Sequence, residues 1–287
     1  MIDNSRNEGI DNLDTLLKPL EKLTNLVHLH LGEDFNQSIE PLKNLTKLEN
    51  LIFESAFNQP IDTLSSLTNL KQLTFGQDFK QPIDALRSLT NLAHLEFGRN
   101  FGELPIDVLS SLTKLEILIF GDNFEESIDS LQNLTKLKHL EFGNHFNQPI
   151  KPLEKLTNLT HLTFGNLPRF EKPIGTLQYL TKLEHLNLGK SKISSYNDDG
   201  ILLTPLQNLT NLTFLTFYNF NDEIVENSLP PNLTYLDLGT LFNQEIDALS
   251  SLTKLETLIF HHRFNKRIDK LSSLVQLTKI CFGFNFS

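Results

Sequence analysis

A segment of about 22 residues recurs along the whole chain, and this repetition limits the possible folds more than any other feature. A period of 20–50 residues is the signature of a solenoid, in which each copy packs only on its neighbours. We therefore predict a single solenoid domain of about eleven to twelve repeats over residues 23–287, preceded by an N-terminal capping segment over residues 1–22. The copies begin at Leu23, Leu45, Leu67, Leu89, Leu112, Leu134, Leu156, Leu180, Leu209, Leu229, Leu252 and Leu274.

Each copy has two halves with different periodicity. In the first half apolar residues such as Leu51 and Phe53 alternate with outward positions, which is typical of a half-buried strand. In the second half the apolar residues Ile61, Leu64 and Leu67 are spaced by three, which favours a 3₁₀ turn over an α-helix. Stacked copies align their strands in parallel. The predicted fold is thus an α/β solenoid of horseshoe type, with a parallel sheet on the concave face and short 3₁₀ turns on the convex face.

The 22 phenylalanines fall almost entirely into two columns of the repeat. Stacked rings at one height of a solenoid predict an interior spine and not a cofactor pocket. Phe214 and Phe284 are the two that lie outside these columns. The first column ends the strands and contains Phe53, Phe75, Phe97, Phe120, Phe142, Phe164, Phe217, Phe260 and Phe282. The second lies a few residues later and contains Phe35, Phe57, Phe79, Phe101, Phe124, Phe146, Phe170, Phe220, Phe242, Phe264 and Phe286.

Composition and motifs argue against several classes of function. The net charge of −10 disfavours a nucleic-acid binder, because such binding depends on clustered Lys and Arg. The single cysteine, Cys281, sits at a predicted strand position and allows neither a disulfide framework nor a cysteine-based metal site. The sequence contains no apolar run of signal-peptide or membrane-spanning length, so we expect an intracellular protein without membrane contact. It also lacks a Gly-rich phosphate loop, a nucleophile elbow or a metal motif, so we expect neither catalysis nor a cofactor.

The outward positions of the strands carry the candidate binding residues. Aromatic, histidine and carboxylate side chains lie together there, and aromatic residues are enriched at the centres of protein interfaces. A zinc site built by His139, His161 and His185 beside Glu141, a pH-responsive face and a merely solvated face are alternatives. The candidate partner-binding residues are His94, Glu96, Ile117, Ile119, His139, Glu141, His161, His185, Asn187, Phe214, Tyr235 and Asp237.

The copy that begins at Leu180 departs most from the pattern. It is followed by extra residues over 194–200, and insertions in solenoids lie on one face and often bind partners. A tolerated surface bulge explains the insertion equally well, because lengthening a loop costs little free energy. The candidate loop residues are Tyr196, Asn197, Asp198 and Asp199.

Two families share the phrasing of these repeats. The motif Phe57-Asn58-Gln59-Pro60-Ile61 and the stretch 229–246 resemble the FNIP-type leucine-rich repeat over roughly residues 23–286. Phrases such as Pro41-Leu42-Lys43-Asn44-Leu45-Thr46 resemble the 22-residue repeats of bacterial internalins. Both resemblances imply a leucine-rich-repeat horseshoe. FNIP repeats are known chiefly from social amoebae and giant viruses, where they often follow an F-box that recruits a ubiquitin ligase, and only some twenty residues precede the first repeat here.

From these observations we predict a non-catalytic scaffold that binds a protein partner through its concave face. Two alternatives stay open: a structural or self-assembling protein such as a virion component, and a substrate-recognition partner of a ubiquitin ligase that lacks its own F-box. The chain ends at Phe284-Asn285-Phe286-Ser287 in the middle of a repeat, so self-association through the C-terminal edge is a further expectation. The expected location is intracellular, or the virion if the source is viral.

Overall fold

A computed structural model describes residues 16–165, 170, 172–189 and 203–286 of the chain. These residues form two compact units, one ending at Gly143 and the other beginning at Asn144. Part of the predicted capping segment, Lys18–Lys22, is a 3₁₀ turn of the same kind as those in the repeats. The prediction of one continuous domain over residues 23–287 stays a prediction.

Each unit contains six short parallel strands that pair in sequence order. Equivalent positions of neighbouring copies lie opposite each other, as with Leu51 and Leu73. The first unit contains β1 (His28–Leu31), β2 (Asn50–Phe53), β3 (Gln72–Thr74), β4 (His94–Glu96), β5 (Ile117–Ile119) and β6 (His139–Glu141). The second contains β7 (His161–Thr163), β8 (His185–Asn187), β9 (Phe214–Thr216), β10 (Tyr235–Asp237), β11 (Thr257–Ile259) and β12 (Lys279–Cys281).

The second half of most repeats forms a 3₁₀ turn, the copy between β9 and β10 being without one, and the described residues contain no α-helix. Their three-residue spacing places one apolar side chain per turn against the interior, so that Leu64 is fully buried while Asp62 is exposed. The predicted parallel sheet and 3₁₀ turns are confirmed. No helix in the described ranges is long and apolar enough to cross a membrane. The turns are Lys18–Lys22, Glu40–Leu42, Asp62–Ser66, Asp84–Ser88, Asp107–Ser111, Asp129–Asn133, Lys151–Lys155, Gly175–Tyr179, Thr204–Leu206, Asp247–Ser251 and Asp269–Ser273.

The two phenylalanine columns form the predicted interior spine in each unit. Phe97 stacks on Phe101 of its own copy at 3.9 Å between ring centroids and on Phe75 of the preceding copy at 5.7 Å. Both side chains of this copy are buried. Phe282 and Phe286 are exceptions, being partly exposed, because no further described strand packs on β12. Ile280 of the same strand is 40% exposed. Self-association through this edge stays a prediction.

In several copies, side-chain amides that follow the second-column phenylalanine tie consecutive copies together. The side-chain oxygen Oδ1 of Asn58 accepts a hydrogen bond from the backbone N–H of Lys80 at 3.0 Å. The side-chain amide of Gln81 donates to the same oxygen at 3.1 Å. Asn36 accepts in the same way from Asn58 and Gln59. Backbone N–H groups beyond the ends of the strands have no partner in the sheet, and these side-chain oxygens accept their hydrogen bonds.

Glycine follows the strand phenylalanine in several copies because the backbones of neighbouring copies approach closely there. A Cβ atom on Gly98 would lie 1.9 Å from the carbonyl oxygen of Gly76, far inside van der Waals contact. The same position after β10 is Gly239, whose φ of +78° lies in the left-handed region that favours glycine. Its N–H is held by the carboxylate of Asp237 at 2.8 Å.

Candidate partner-binding face

The period-two alternation of the strands directs the predicted site residues outward. In the three-residue strands before β12 the middle residue is buried and the two flanking residues are partly exposed, as in Ile117–Ile119. The pairing register then lines up the flanking residues of successive strands into two outward columns. The structure therefore confirms the outward position of the twelve predicted strand residues, and it divides them between the two units.

In the first unit, six of these residues form a mixed patch on β4, β5 and β6, which we call the HIE patch. It consists of His94, Glu96, Ile117, Ile119, His139 and Glu141. Ile119 lies between the two glutamates, one on each neighbouring strand. Ile117 lies between the two histidines in the same way. On each outer strand the histidine Nε2 lies 3.8 Å from the carboxylate of the same strand, which is too long for a hydrogen bond.

Two ion pairs flank the HIE patch along the strand direction. At the start of the strands Lys138 contacts Glu116 at 2.7 Å, and its hydrogen bond holds the pKa of the Glu116 carboxyl below its usual value. Just beyond the strand ends Arg99 contacts Asp122 at 3.5 Å. The charges of these flanking residues compensate each other locally. The carboxylates of Glu96 and Glu141, whose side chains are 40% and 43% exposed, supply the excess negative charge of the patch.

In the second unit, four rings of the first outward column stack on one another, and we call them the aromatic ladder. They are His161, His185, Phe214 and Tyr235 on β7, β8, β9 and β10. Successive ring centroids are 5.5, 4.1 and 4.2 Å apart, and the planes differ by 10–16°. The rings are partly exposed and cover three strand spacings, about 14 Å. Each inner ring covers the faces of its neighbours, so the ladder presents mainly ring edges and polar atoms to solvent.

A hydrogen-bonded pair of side chains adjoins the last ring of the aromatic ladder. The carboxylate of Asp237, in the second outward column, lies 3.0 Å from Nε2 of His261 and also accepts the N–H of Gly239. Burial, and then the negative charges of Asp237 and Cys281, raise the pKa of Tyr235. The phenol therefore keeps its proton and remains a hydrogen-bond donor at neutral pH. Asn187 holds the N–H of Gly189 in the same way at the end of β8.

The remaining predictions have different outcomes. No group of three or more His, Cys, Asp or Glu side chains in the described part of the chain is placed to hold a metal ion. The candidate loop residues Tyr196, Asn197, Asp198 and Asp199 lie outside the described residues. His261 lies just after β11, and its pairing with Asp237 is not predicted from the sequence. The signal for it is present in the sequence, because one repeat separates the two residues.

Comparisons with known proteins agree on the architecture. A model described as a leucine-rich repeat region matches residues 81–284. The internalin InlF of Listeria monocytogenes is similar, with a TM-score of 0.76 and 26% identity over 93% of this chain and 77% of that one. A leucine-rich-repeat protein of Leptospira interrogans gives a TM-score of 0.70 and 18% identity over 93% and 74% of the two chains. The plant peptide hormone receptor RGFR1, in complex with RGF2, gives 0.61 and 19% over 93% and 52%. A search of the curated proteins finds no significant match.

Proposed function

Because the chain belongs to the leucine-rich-repeat family, we propose that it is a non-catalytic scaffold that binds a protein partner through the aromatic ladder of its second unit. The observation that carries this proposal is the continuous stack from His161 to Tyr235 on an outward sheet face. The fold does not require rings there, since the equivalent positions of β3 and β11 carry Gln72 and Thr257.

The way the rings stack favours a protein over a small planar ligand. A sugar or a nucleobase binds an aromatic side chain by covering its face. Both faces of His185 and of Phe214 are already covered by neighbouring ladder rings at 4.1–5.5 Å. Ring edges and the Tyr235 hydroxyl remain for contact. Such a mixture of apolar edges and hydrogen-bonding groups is typical of the central residues of protein interfaces.

The stack also makes these side chains suitable for tight binding. A side chain that is ordered before binding loses less entropy when a partner covers it, a saving of about 0.5–1.5 kcal/mol for each immobilised side chain. The ladder rings hold one another, and Asp237 is held by both Gly239 and His261. We therefore expect the truncation of Phe214 or Tyr235 to cost about 2 kcal/mol or more of binding free energy.

The finer family assignment supplies the source of candidate partners. We propose that the repeats are of the FNIP type, because Asn58 of the motif Phe57-Asn58-Gln59-Pro60-Ile61 links its copy to the next one by accepting from Lys80 and Gln81. Amoebal lysate is then the appropriate material for a capture experiment. An intracellular or virion location is part of the same proposal.

The test compares immobilised wild type, the variant Phe214→Ala/Tyr235→Ala and the control variant Tyr179→Ala. Tyr179 is 51% exposed at the end of a 3₁₀ turn of the same unit, so its truncation matches the loss of a surface ring away from the sheet. We expect proteins that wild type and control retain, and that the ladder variant loses, in quantitative mass spectrometry. If all three retain the same proteins, the ladder is not the binding surface.

The same experiment addresses the alternatives. Ubiquitin-ligase subunits among the proteins lost by the ladder variant would support the ligase-partner role. Copies of this chain itself, recovered with a differently tagged bait, would support self-assembly. Both roles stay predictions, since the geometry of the ladder favours neither of them over another protein partner.

A further inference from the structure

The HIE patch of the first unit has a chemistry different from that of the aromatic ladder. We propose that it binds a helical segment of a protein partner, in which two basic side chains lie on either side of an aliphatic one. This inference rests on the proposed scaffold function and adds a second, separate surface with a defined partner class. It is carried by the placement of Glu96, Ile119 and Glu141 across three adjacent strands.

Charge complementarity selects the basic side chains. Lys138 pairs with Glu116, and Arg99 pairs with Asp122, so the cations beside the patch are engaged by carboxylates outside it. The Nε2 atom of His94 has no hydrogen-bond partner among the described residues. Since it lies 3.8 Å from Glu96, it leaves the acceptor positions of that carboxylate open to a ligand. The overall charge of −10 adds a long-range attraction for the same kind of partner.

The centre of the patch selects an aliphatic side chain. Ile117 and Ile119 are both partly exposed and are neighbours on the outward side of β5. On the outer side of β4 the outward column continues with Thr74, a neutral residue. An apolar side chain that covers Ile119 removes it from water and is flanked on both sides by a carboxylate. A segment without an apolar side chain at this place leaves Ile119 exposed to water, and an acidic segment is repelled by the two carboxylates.

The spacing of the carboxylates favours a helix that crosses the strands. Glu96 and Glu141 are separated by two strand spacings, about 9.6 Å, with Ile119 midway. On a helix, positions i and i+7 lie on one face about 10.5 Å apart, and i+4 falls between them. On an extended peptide, side chains of one face recur at about 6.8 and 13.6 Å, and neither distance fits. The order basic, aliphatic, basic at i, i+4 and i+7 therefore matches the patch.

The probe is a synthetic capped peptide of about 15 residues in an alanine- and glutamine-rich host, long enough to form a helix. It carries Lys, Leu and Lys at i, i+4 and i+7. A scrambled peptide of the same composition distributes these residues around the helix. Binding of the fluorescently labelled peptides to the full chain is measured by anisotropy at low ionic strength, where exposed ion pairs contribute most.

The variant Glu96→Gln/Glu141→Gln removes both carboxylates of the patch. Its control, Asp62→Asn/Asp107→Asn, makes the same change in net charge at exposed residues that begin 3₁₀ turns of the same unit. We expect wild type and control to bind the patterned peptide equally and the patch variant to bind it about fivefold more weakly, as two exposed ion pairs would give. The scrambled peptide should bind wild type as weakly as the patterned peptide binds the patch variant.

Two results would overturn the proposal: equal affinity of wild type for both peptides, or equal weakening in the patch variant and its control. Circular dichroism of both double variants verifies that they fold. The ladder variant Phe214→Ala/Tyr235→Ala should bind the patterned peptide like wild type. If the ladder variant captures the same proteins from lysate as wild type does, while the patterned peptide still distinguishes the patch variant from its control, the proposed role of the ladder is refuted and the HIE patch stays supported.

Discussion

Replacing Gly98 by alanine tests how closely the copies approach each other. The new Cβ would lie 1.9 Å from the carbonyl oxygen of Gly76, 2.3 Å from its carbonyl carbon and 2.7 Å from the nitrogen of Gln77. All three are backbone atoms, so no side-chain rotation can relieve the overlap. The copy that contains Gly98 must instead move away from its neighbour by about 1.5 Å to restore ordinary contact distances.

The displacement has a cost that follows from the packing beside Gly98. Phe97 immediately precedes it and stacks on Phe75 of the neighbouring copy at 5.7 Å. Moving one copy outward therefore loosens the phenylalanine spine as well as the backbone contact. Overpacking a well-filled core typically costs about 1–3 kcal/mol, and we expect Gly98→Ala to lower the free energy of unfolding by about 3 kcal/mol, at the upper end of that range.

The matched control is Gly175→Ala. A Cβ on Gly175 meets nothing within 4 Å, and the residue begins a 3₁₀ turn. Alanine restricts the unfolded chain there, so we expect a gain of about 0.4–1 kcal/mol. Urea unfolding followed by circular dichroism gives both values. Hydrogen exchange shows whether the loss in Gly98→Ala is confined to the first unit, as nearest-neighbour stacking predicts. A Gly98→Ala protein within about 0.5 kcal/mol of wild type would refute the close-approach argument.

Two further substitutions test the spine and a half-buried carboxyl. Phe101→Ala removes a fully buried ring and should lower the free energy of unfolding, measured in urea, by about 3–5 kcal/mol. Phe284→Ala, at a residue that is 93% exposed, should change it by less than about 0.5 kcal/mol. Similar values for both variants would contradict the buried spine. Burial raises the pKa of Asp222, so its carboxyl contributes stability below its unfolded value of 3.8 that is lost as the pH rises through the folded pKa. We therefore expect Asp222→Asn to raise the melting temperature at pH 7 and to change it little at pH 3, and an equal change at both pH values would exclude this cause.

The main elements of the fold could be predicted because one repeated pattern determines them. Burial of Leu51 and Phe53 and the three-residue spacing from Ile61 to Leu67 are local features, and both are found in the structure as predicted. The glycine that follows most of the strand phenylalanines could not be explained in advance. A sequence shows that Gly98 follows Phe97, but only the distance between neighbouring backbones shows why an alanine does not fit there.

The candidate site was predictable in its position and not in its geometry. The alternation within β9 and β10 placed Phe214 and Tyr235 on the outward side, as the structure confirms. Their face-to-face stack depends on ring rotamers and on a strand register that passes over the insertion between β8 and β9. The pairing of Asp237 with His261 depends likewise on where a side chain just beyond a strand turns.

The copies of the repeat serve as controls for one another when the binding residues are sought. Inward positions keep Leu or Phe in almost every copy, and the amide that follows the spine recurs as Asn36, Asn58, Asn221 and Asn243, each accepting from the next copy. These positions are required for stacking. The outward column instead changes from Gln72 to Ile117 to Phe214 while the strands keep the same pairing. Because stacking does not account for this variation, we propose that the residues that differ most between copies distinguish a partner. A consensus copy placed at β9 should keep the fold while interrupting the ladder at Phe214.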